Sequence, residues 1–214
     1  MIEYNDFEIY WDGHASVRVV DEGFTVAVDP FDRVSPDFEA DLVLVTHGDS
    51  GHFDPGKIED VCSGDTCVVV PHSVDSSEIK CSDVETVDEG EIIDIFGITL
   101  ETVPMYNEHH QKGEGLGYRF EMRGSSFFAA GDTGLIDKFF ELENRVDVAF
   151  LPVEGEFTMD IDEAIQSAVR IKPELVVPYH YGEPFFSDID VDLKAFRNEL
   201  EDRNIGCRVM ESES

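Results

Sequence analysis

Lysine is scarce in this chain. Its six residues, with nine arginines, make 15 basic side chains against 48 acidic ones. The bases are also dispersed, with no cluster of Lys and Arg anywhere. Nucleic acid and anionic membranes are both gripped through such clusters, so the sequence argues against either partner. No apolar run approaches the ~18 residues that a bilayer span requires. The opening MIEYNDFEIYW lacks a basic stretch followed by an apolar one, so no secretory signal is expected. Cysteine is sparse too: Cys62, Cys67, Cys81 and Cys207 form no Cys-x-x-Cys pair, and their spacing matches no zinc finger or ribbon. Reduced thiols are expected, as suits a soluble cytoplasmic protein.

What is present points to a folded domain. A net charge of −33 can signal disorder, but 42% of residues are hydrophobic and 16 are Phe, ample for a core. The acids are spread along the chain rather than gathered in a tail, so they read as a solvent-facing surface. Dense carboxylates hold water and cations, and they repel one another unless salt screens them. A salt-rich cytoplasm, and a salt-loving source, are the expectation. The length of 214 residues fits a single domain, 1–214, at roughly 150 residues per domain.

Short β-rich runs fill the first third. Phe7–Trp11, Ser16–Val20 and Phe24–Val28 alternate with Asp/Gly turns and predict an antiparallel meander. Ala40–Thr46 is almost uniformly apolar, the mark of a strand buried on both faces. It runs into His47-Gly48-Asp49-Ser50-Gly51-His52, after which Asp54 caps a predicted helix, Pro55–Val61. Strands are predicted at Cys67–Val70, Val84–Val87, Glu91–Ile95, Ile98–Val103, Leu116–Met122 and Ser126–Ala130. The remainder alternates: helices near Leu135–Leu142, Ile161–Ile171 and Leu193–Asp202, and strands Val146–Leu151, Leu175–Pro178 and Cys207–Met210.

The chain has seven histidines, and four of them (His47, His52, His110 and His180) sit at predicted strand ends or just beyond. Asp132 does as well, after Phe127-Phe128-Ala129-Ala130-Gly131. Residues distant in sequence but all at strand ends can converge on one sheet edge. Imidazole nitrogens and carboxylate oxygens gathered there suit Zn²⁺ or a similar cation.

Several of these segments resemble the metallo-β-lactamase superfamily. They are Thr46-His47 through Asp54-Pro55, Ala130-Gly131-Asp132-Thr133 and Pro178-Tyr179-His180-Tyr181-Gly182. The nearest likeness is to its small metal-dependent hydrolases, including ascorbate-6-phosphate lactonase-like proteins. Trp11-Asp12-Gly13-His14, Val28-Asp29-Pro30-Phe31, Val103–Asn107 with His110-Gln111-Lys112-Gly113, and Leu151–Gly155 with Thr158-Met159-Asp160 match as well. The resemblance implies an α/β (α+β) fold, the four-layer αββα sandwich, with metal at one open edge between two sheets. It implies a small-molecule substrate (an ester, lactone or phosphodiester) attacked by a metal-bound hydroxide between ions ~3.5–4 Å apart. Zinc, one ion or two, is the implied cofactor, with manganese as the alternative.

Carried onto this sequence, the resemblance makes His47, Asp49, His52, His110, Asp132 and His180 the metal ligands. Asp132 bridges both sites, and His109 is the alternative to His110. Asp132, His180 and His14 are the implied catalytic residues, although His14 reads equally well as a histidine satisfied in a turn. Asp29 either orients a ligand His or shapes the Asp-Pro turn. Glu154, Thr158 and Met159 are expected to line the pocket, and His72 is expected to be structural or exposed. Two positions depart from the family pattern: Asp49 replaces its second His and Gly51 its loop Asp. Asp49 can still bind a metal, whereas Gly51 offers no side chain, and Asp54 could fill the gap only by leaving its cap. The second site then drops to His52, Asp132 and His180. The competing reading is a non-catalytic protein of the same fold with one metal or none.

Overall fold

A computed structural model describes residues 1–34 and 36–211. The Asp/Gly turns fold the first strands back on one another: β1 (Ile2–Tyr4), β2 (Phe7–Gly13), β3 (Ser16–Asp21) and β4 (Phe24–Val28) pair antiparallel. β5 (Ala40–Leu44), β6 (Cys62–Pro71) and β7 (Asp83–Val87) then add in parallel. The second sheet repeats this plan. β8 (Ile92–Ile95), β9 (Ile98–Met105), β10 (Gly115–Met122) and β11 (Ser125–Ala129) are antiparallel, followed by parallel β12 (Val148–Pro152), β13 (Leu175–Tyr179) and β14 (Gly206–Cys207). Each sheet has seven strands in sequential order. Arg123 and Gly124, both at positive φ (47° and 81°), make the tight turn between β10 and β11.

Alternation along β5 shows how the layers arise. Leu42 and Leu44 point between the sheets, into a core with Val17, Phe120, Phe127 and Phe150. Val43 and Val45 point the other way and pack with Ile58 and Val61 of helix α1 (Pro55–Val61). On the far side, Phe128, Leu151 and Val176 bury against α2 (Ile161–Ile171) and α3 (Leu193–Glu201). The fold is therefore the expected four-layer αββα sandwich. Each fully buried Phe or Leu contributes about 1.5–3 kcal/mol, so the three clusters together carry the stability. Asp54 caps α1 by accepting from Lys57 N at 3.0 Å, and Asp160 and Glu163 form a reciprocal cap on α2. Asp54 is thus committed to its cap.

The structure corrects the sequence reading at several places. β1 was not anticipated, and β6 begins at Cys62 rather than Cys67. The helix expected at Leu135–Leu142 is a 3-10 segment, Asp137–Leu142, whose N-cap Ile136 offers no side-chain acceptor. The cysteines are not all reduced: Cys62, at the end of α1, is bonded to Cys81, with Cα atoms 6.1 Å apart. The bridge removes the cysteines as an argument for a reducing compartment. Cys67 and Cys207 remain as buried thiols, and burial pushes both up to about 12. Thiolate is the reactive form, so a thiol reagent at pH 8 is expected to modify neither in the native protein. Unfolding without reductant should expose two reactive thiols, and reduction should raise the count to all four. Four thiols without reductant would contradict the bridge.

Candidate metal centre

Strand ends from both sheets meet at one edge. His47 follows β5, His52 lies in the loop before α1, Asp132 follows β11 and His180 follows β13. His110 lies in the loop between β9 and β10, and His14 in the turn between β2 and β3. A hydrogen bond from Leu116 N to Thr46 O, 2.8 Å, stitches the two sheets together at this edge. Asp132 is the hub: its Oδ2 lies 3.0 Å from His180 Nε2, 3.3 Å from His52 Nε2 and 3.8 Å from His47 Nε2.

Asp29, wholly buried, fixes two of these rings. Thr46 donates to it from both N (2.7 Å) and Oγ1 (2.6 Å), and His52 Nδ1 lies 2.8 Å from Asp29 Oδ2. Thr46 has one hydroxyl proton and gives it to Asp29. Its oxygen, 2.9 Å from His47 Nδ1, must therefore accept from that ring. Both imidazoles thus carry their proton on Nδ1 and present Nε2 toward Asp132. This is how an outer carboxylate sets a ligand's tautomer. Asp29 thus holds the His52 ring directly and the His47 ring through Thr46.

Asn107 separates the two neighbouring histidines. Its Oδ1 accepts from the backbone N of His109 (2.7 Å) and His110 (2.8 Å), a local turn that sends the two rings apart. His110 Nε2 reaches Asp49 Oδ2 at 3.2 Å, and its ring lies 4.9 Å from that of His47. His109 Nε2 instead meets Glu156 O at 3.0 Å. Ligand atoms of His47, Asp49 and His110 lie within 4.8 Å of one another.

His14 belongs to the same constellation. Its ligand atom lies within 4.8 Å of those of His52 and His180, and its ring centroid is 4.3 Å from His180. The backbone holds it there. His14 sits at φ 49°, and its carbonyl accepts from Trp11 Nε1 (2.9 Å) and from His180 N (2.8 Å). The sequence reading left His14 undecided and the second site one ligand short. Its nearness to the loop at 51 is spatial, because only the folded hairpin brings residue 14 there.

The charges sort themselves by neighbour. Burial drives His47 and His14 well below the ordinary imidazole range, with adjacent histidines adding to the effect. Burial would depress His52 too, but the Asp132 and Asp29 carboxylates outweigh it and push it up to about 10. Asp132 resists its own burial because His180 and His52 hold it well below the usual carboxylate range. Burial raises Asp29, and its bonds to His52 and Thr46 offset only part of that.

The remaining expectations divide. His72 is exposed beside Asp88, as expected. Thr158 lines a groove of about 570 Å³ with Tyr106, Asn107, His109 and Phe157. The groove lies beside the histidine cluster and not over it, since none of the seven clustered side chains lines it. Glu154 is not a pocket residue of that groove. It accepts from the backbone N of Glu156 (2.9 Å), Phe157 and Thr158 (2.8 Å), and so shapes the loop. Met159 is buried in the core under α2, where Ser167 Oγ meets its sulfur at 2.9 Å. Aromatic rings do border the centre: Phe185 lies 4.7 Å from His14, and Phe186 lies 4.9 Å from His180.

Sandwich topology with histidines around a buried aspartate at one sheet edge defines the metallo-β-lactamase class. Residues 8–180 match the family described as Beta-lactamase superfamily domain. The chain belongs, within that superfamily, to the UPF0173 metal-dependent hydrolase family. It is 31% identical to the UPF0173 metal-dependent hydrolase of Methanopyrus kandleri, covering 94% of this chain and 95% of that one. It is 34% identical to the one from Thermoplasma acidophilum, over 90% of each. Among solved structures, it is similar to Igni18, a metallo hydrolase from the archaeon Ignicoccus hospitalis. That match has a TM-score of 0.83 and 25% identity over 97% of this chain and 96% of the other. No helix among the described residues is long and apolar enough to cross a membrane.

Proposed function

We propose that this chain hydrolyses a small ester, lactone or phosphodiester with two divalent ions held around Asp132. The observation that carries the reading is the buried cluster itself. His14 Nδ1, His47 Nε2, His180 Nδ1 and Asp132 Oδ1 are buried without a hydrogen-bond partner among the described residues. Each such atom costs about 1–3 kcal/mol when left unsatisfied. A cation among them would offset that cost, so the donor set fits a metal centre. One ion would be held by His47, Asp49, His110 and Asp132, the other by Asp132, His52 and His180. The nitrogen-rich donors suit zinc, and Asp49 brings manganese within reach of the first position. When bound, such ions polarise a carbonyl or phosphoryl oxygen and activate water.

The chain's own residues supply the rest. Asp29 and Thr46 hold the His52 and His47 rings with Nε2 presented. Phe185 and Phe186 wall one side of the centre with apolar surface, which excludes water and suits an acyl or alkyl portion of the substrate. The adjoining groove at Asn107 and Thr158 has room for the remainder. With its acid excess, the chain suits a salt-rich cytoplasm and a substrate that is neither nucleic acid nor membrane.

The test is turnover of an ester, lactone and phosphodiester panel in concentrated KCl, after purification without chelator. We expect hydrolysis of one substrate class, abolished by chelator and restored by Zn²⁺ or Mn²⁺. Gly51 motivates a second reading, a protein of this fold without turnover. A metal-loaded sample inert across the whole panel would favour that reading over ours.

A further inference from the structure

We infer that His14 is a ligand of the second metal ion, taking the place that a side chain at residue 51 would otherwise fill. This rests on the dinuclear reading above and deepens it. The argument begins at Gly51, which adopts φ +107°, a conformation other residues rarely hold. A Cβ built there would lie 2.9 Å from His14 Nε2 and 3.2 Å from both His14 Cδ2 and Phe185 Cε2. The His14 ring therefore occupies the space into which a residue-51 side chain would project. In this structure the His14 ring, and not a side chain at residue 51, fills that space.

The ring is also placed to bind. It is 4% exposed, and its ligand atom shares a 4.8 Å neighbourhood with those of His52 and His180. Nδ1 has no partner among the described residues, although hydrogen bonds through the His14 carbonyl fix the backbone on both sides. A histidine merely satisfied in a turn would have its ring nitrogens bonded. In this one Nδ1 is buried without a bond, which leaves that nitrogen for another task.

The consequence is an exchange of donors between the sites. Asp49 gives the first site two imidazoles and two carboxylates, with His47, His110 and Asp132. His14 gives the second three imidazoles and one carboxylate, with His52, His180 and Asp132. Carboxylate-rich sites favour harder ions such as Mn²⁺ and imidazole-rich ones favour Zn²⁺, so the second site should be the more zinc-selective.

The experiment compares wild type, His14→Asn and Asp132→Ala by elemental analysis, zinc titration and the visible spectrum of the cobalt-loaded protein. Asn tolerates the left-handed backbone at residue 14. Wild type should bind two ions, His14→Asn one and Asp132→Ala none. Zinc affinity at the second site should fall by more than the ~10–100-fold that follows loss of an outer hydrogen-bond partner. The cobalt spectrum should change with it. A smaller loss with an unchanged spectrum would overturn the inference and leave the dinuclear reading standing. Fewer than two ions in wild type would overturn both. Should His14→Asn not fold, isotope-labelled histidine in cadmium-loaded wild type gives the same answer. Cadmium coupling to a His14 ring nitrogen supports ligation, and its absence overturns it.

Discussion

Asp132→Ala is expected to abolish metal binding and to lower hydrolysis by about 10²–10³-fold, the scale on which losing stabilisation of developing charge acts. Three imidazoles, from His47, His52 and His180, face one carboxylate oxygen within 3.8 Å, and among the described residues no other carboxylate approaches all three. Removing it leaves each prospective ion short of a ligand, and the sites fail together. Fold stability should change less than after a core deletion, because Asp132 contributes charge and not packing. Elemental analysis and a thermal melt on the same sample separate the two effects. Retention of two ions would show that Asp132 is not the shared ligand.

Arg18→Met is expected to destabilise the fold by about 3–5 kcal/mol without altering a single proposed ligand. Arg18 on β3 is buried and bidentate to buried Asp12, with Nε 2.7 Å and Nη2 2.6 Å from the carboxylate oxygens. Its guanidinium also lies over Tyr10 (4.3 Å) and Phe38 (4.6 Å). Such stacking is worth about 0.5–2 kcal/mol, so the buried carboxylate left without its guanidinium dominates the cost. At ~2–4 °C per kcal/mol for a domain of this size, the melting temperature should drop by roughly 6–20 °C. Asp12 immediately precedes Gly13 and His14, so the loss should also loosen the turn that carries His14. A melt within about 1 °C of wild type would contradict this assignment.

Where periodicity carried the information, the sequence was readable. Ala40–Leu44 and Leu175–Tyr179 announce themselves by apolar runs, and α2 by its helical pattern. Strand ends bearing His47, Asp132 and His180 pointed to one edge, and the folded sheets bring them there. Contacts between elements distant in the chain were not readable. The Cys62–Cys81 bridge depends on α1 and the segment before β7 meeting across 19 residues. Gly51 looked like a lost ligand because the residue whose ring fills its space lies 37 positions earlier, in a different hairpin. Glu154 is committed to three backbone N–H groups, which sequence cannot reveal.

The most direct measurement is an anomalous-scattering map from crystals of the metal-loaded protein. It should show two ions flanking Asp132, one against His47, Asp49 and His110 and the other against His52 and His180. A map with one ion, or with none at Asp132, would contradict the dinuclear centre on which the proposed hydrolase rests.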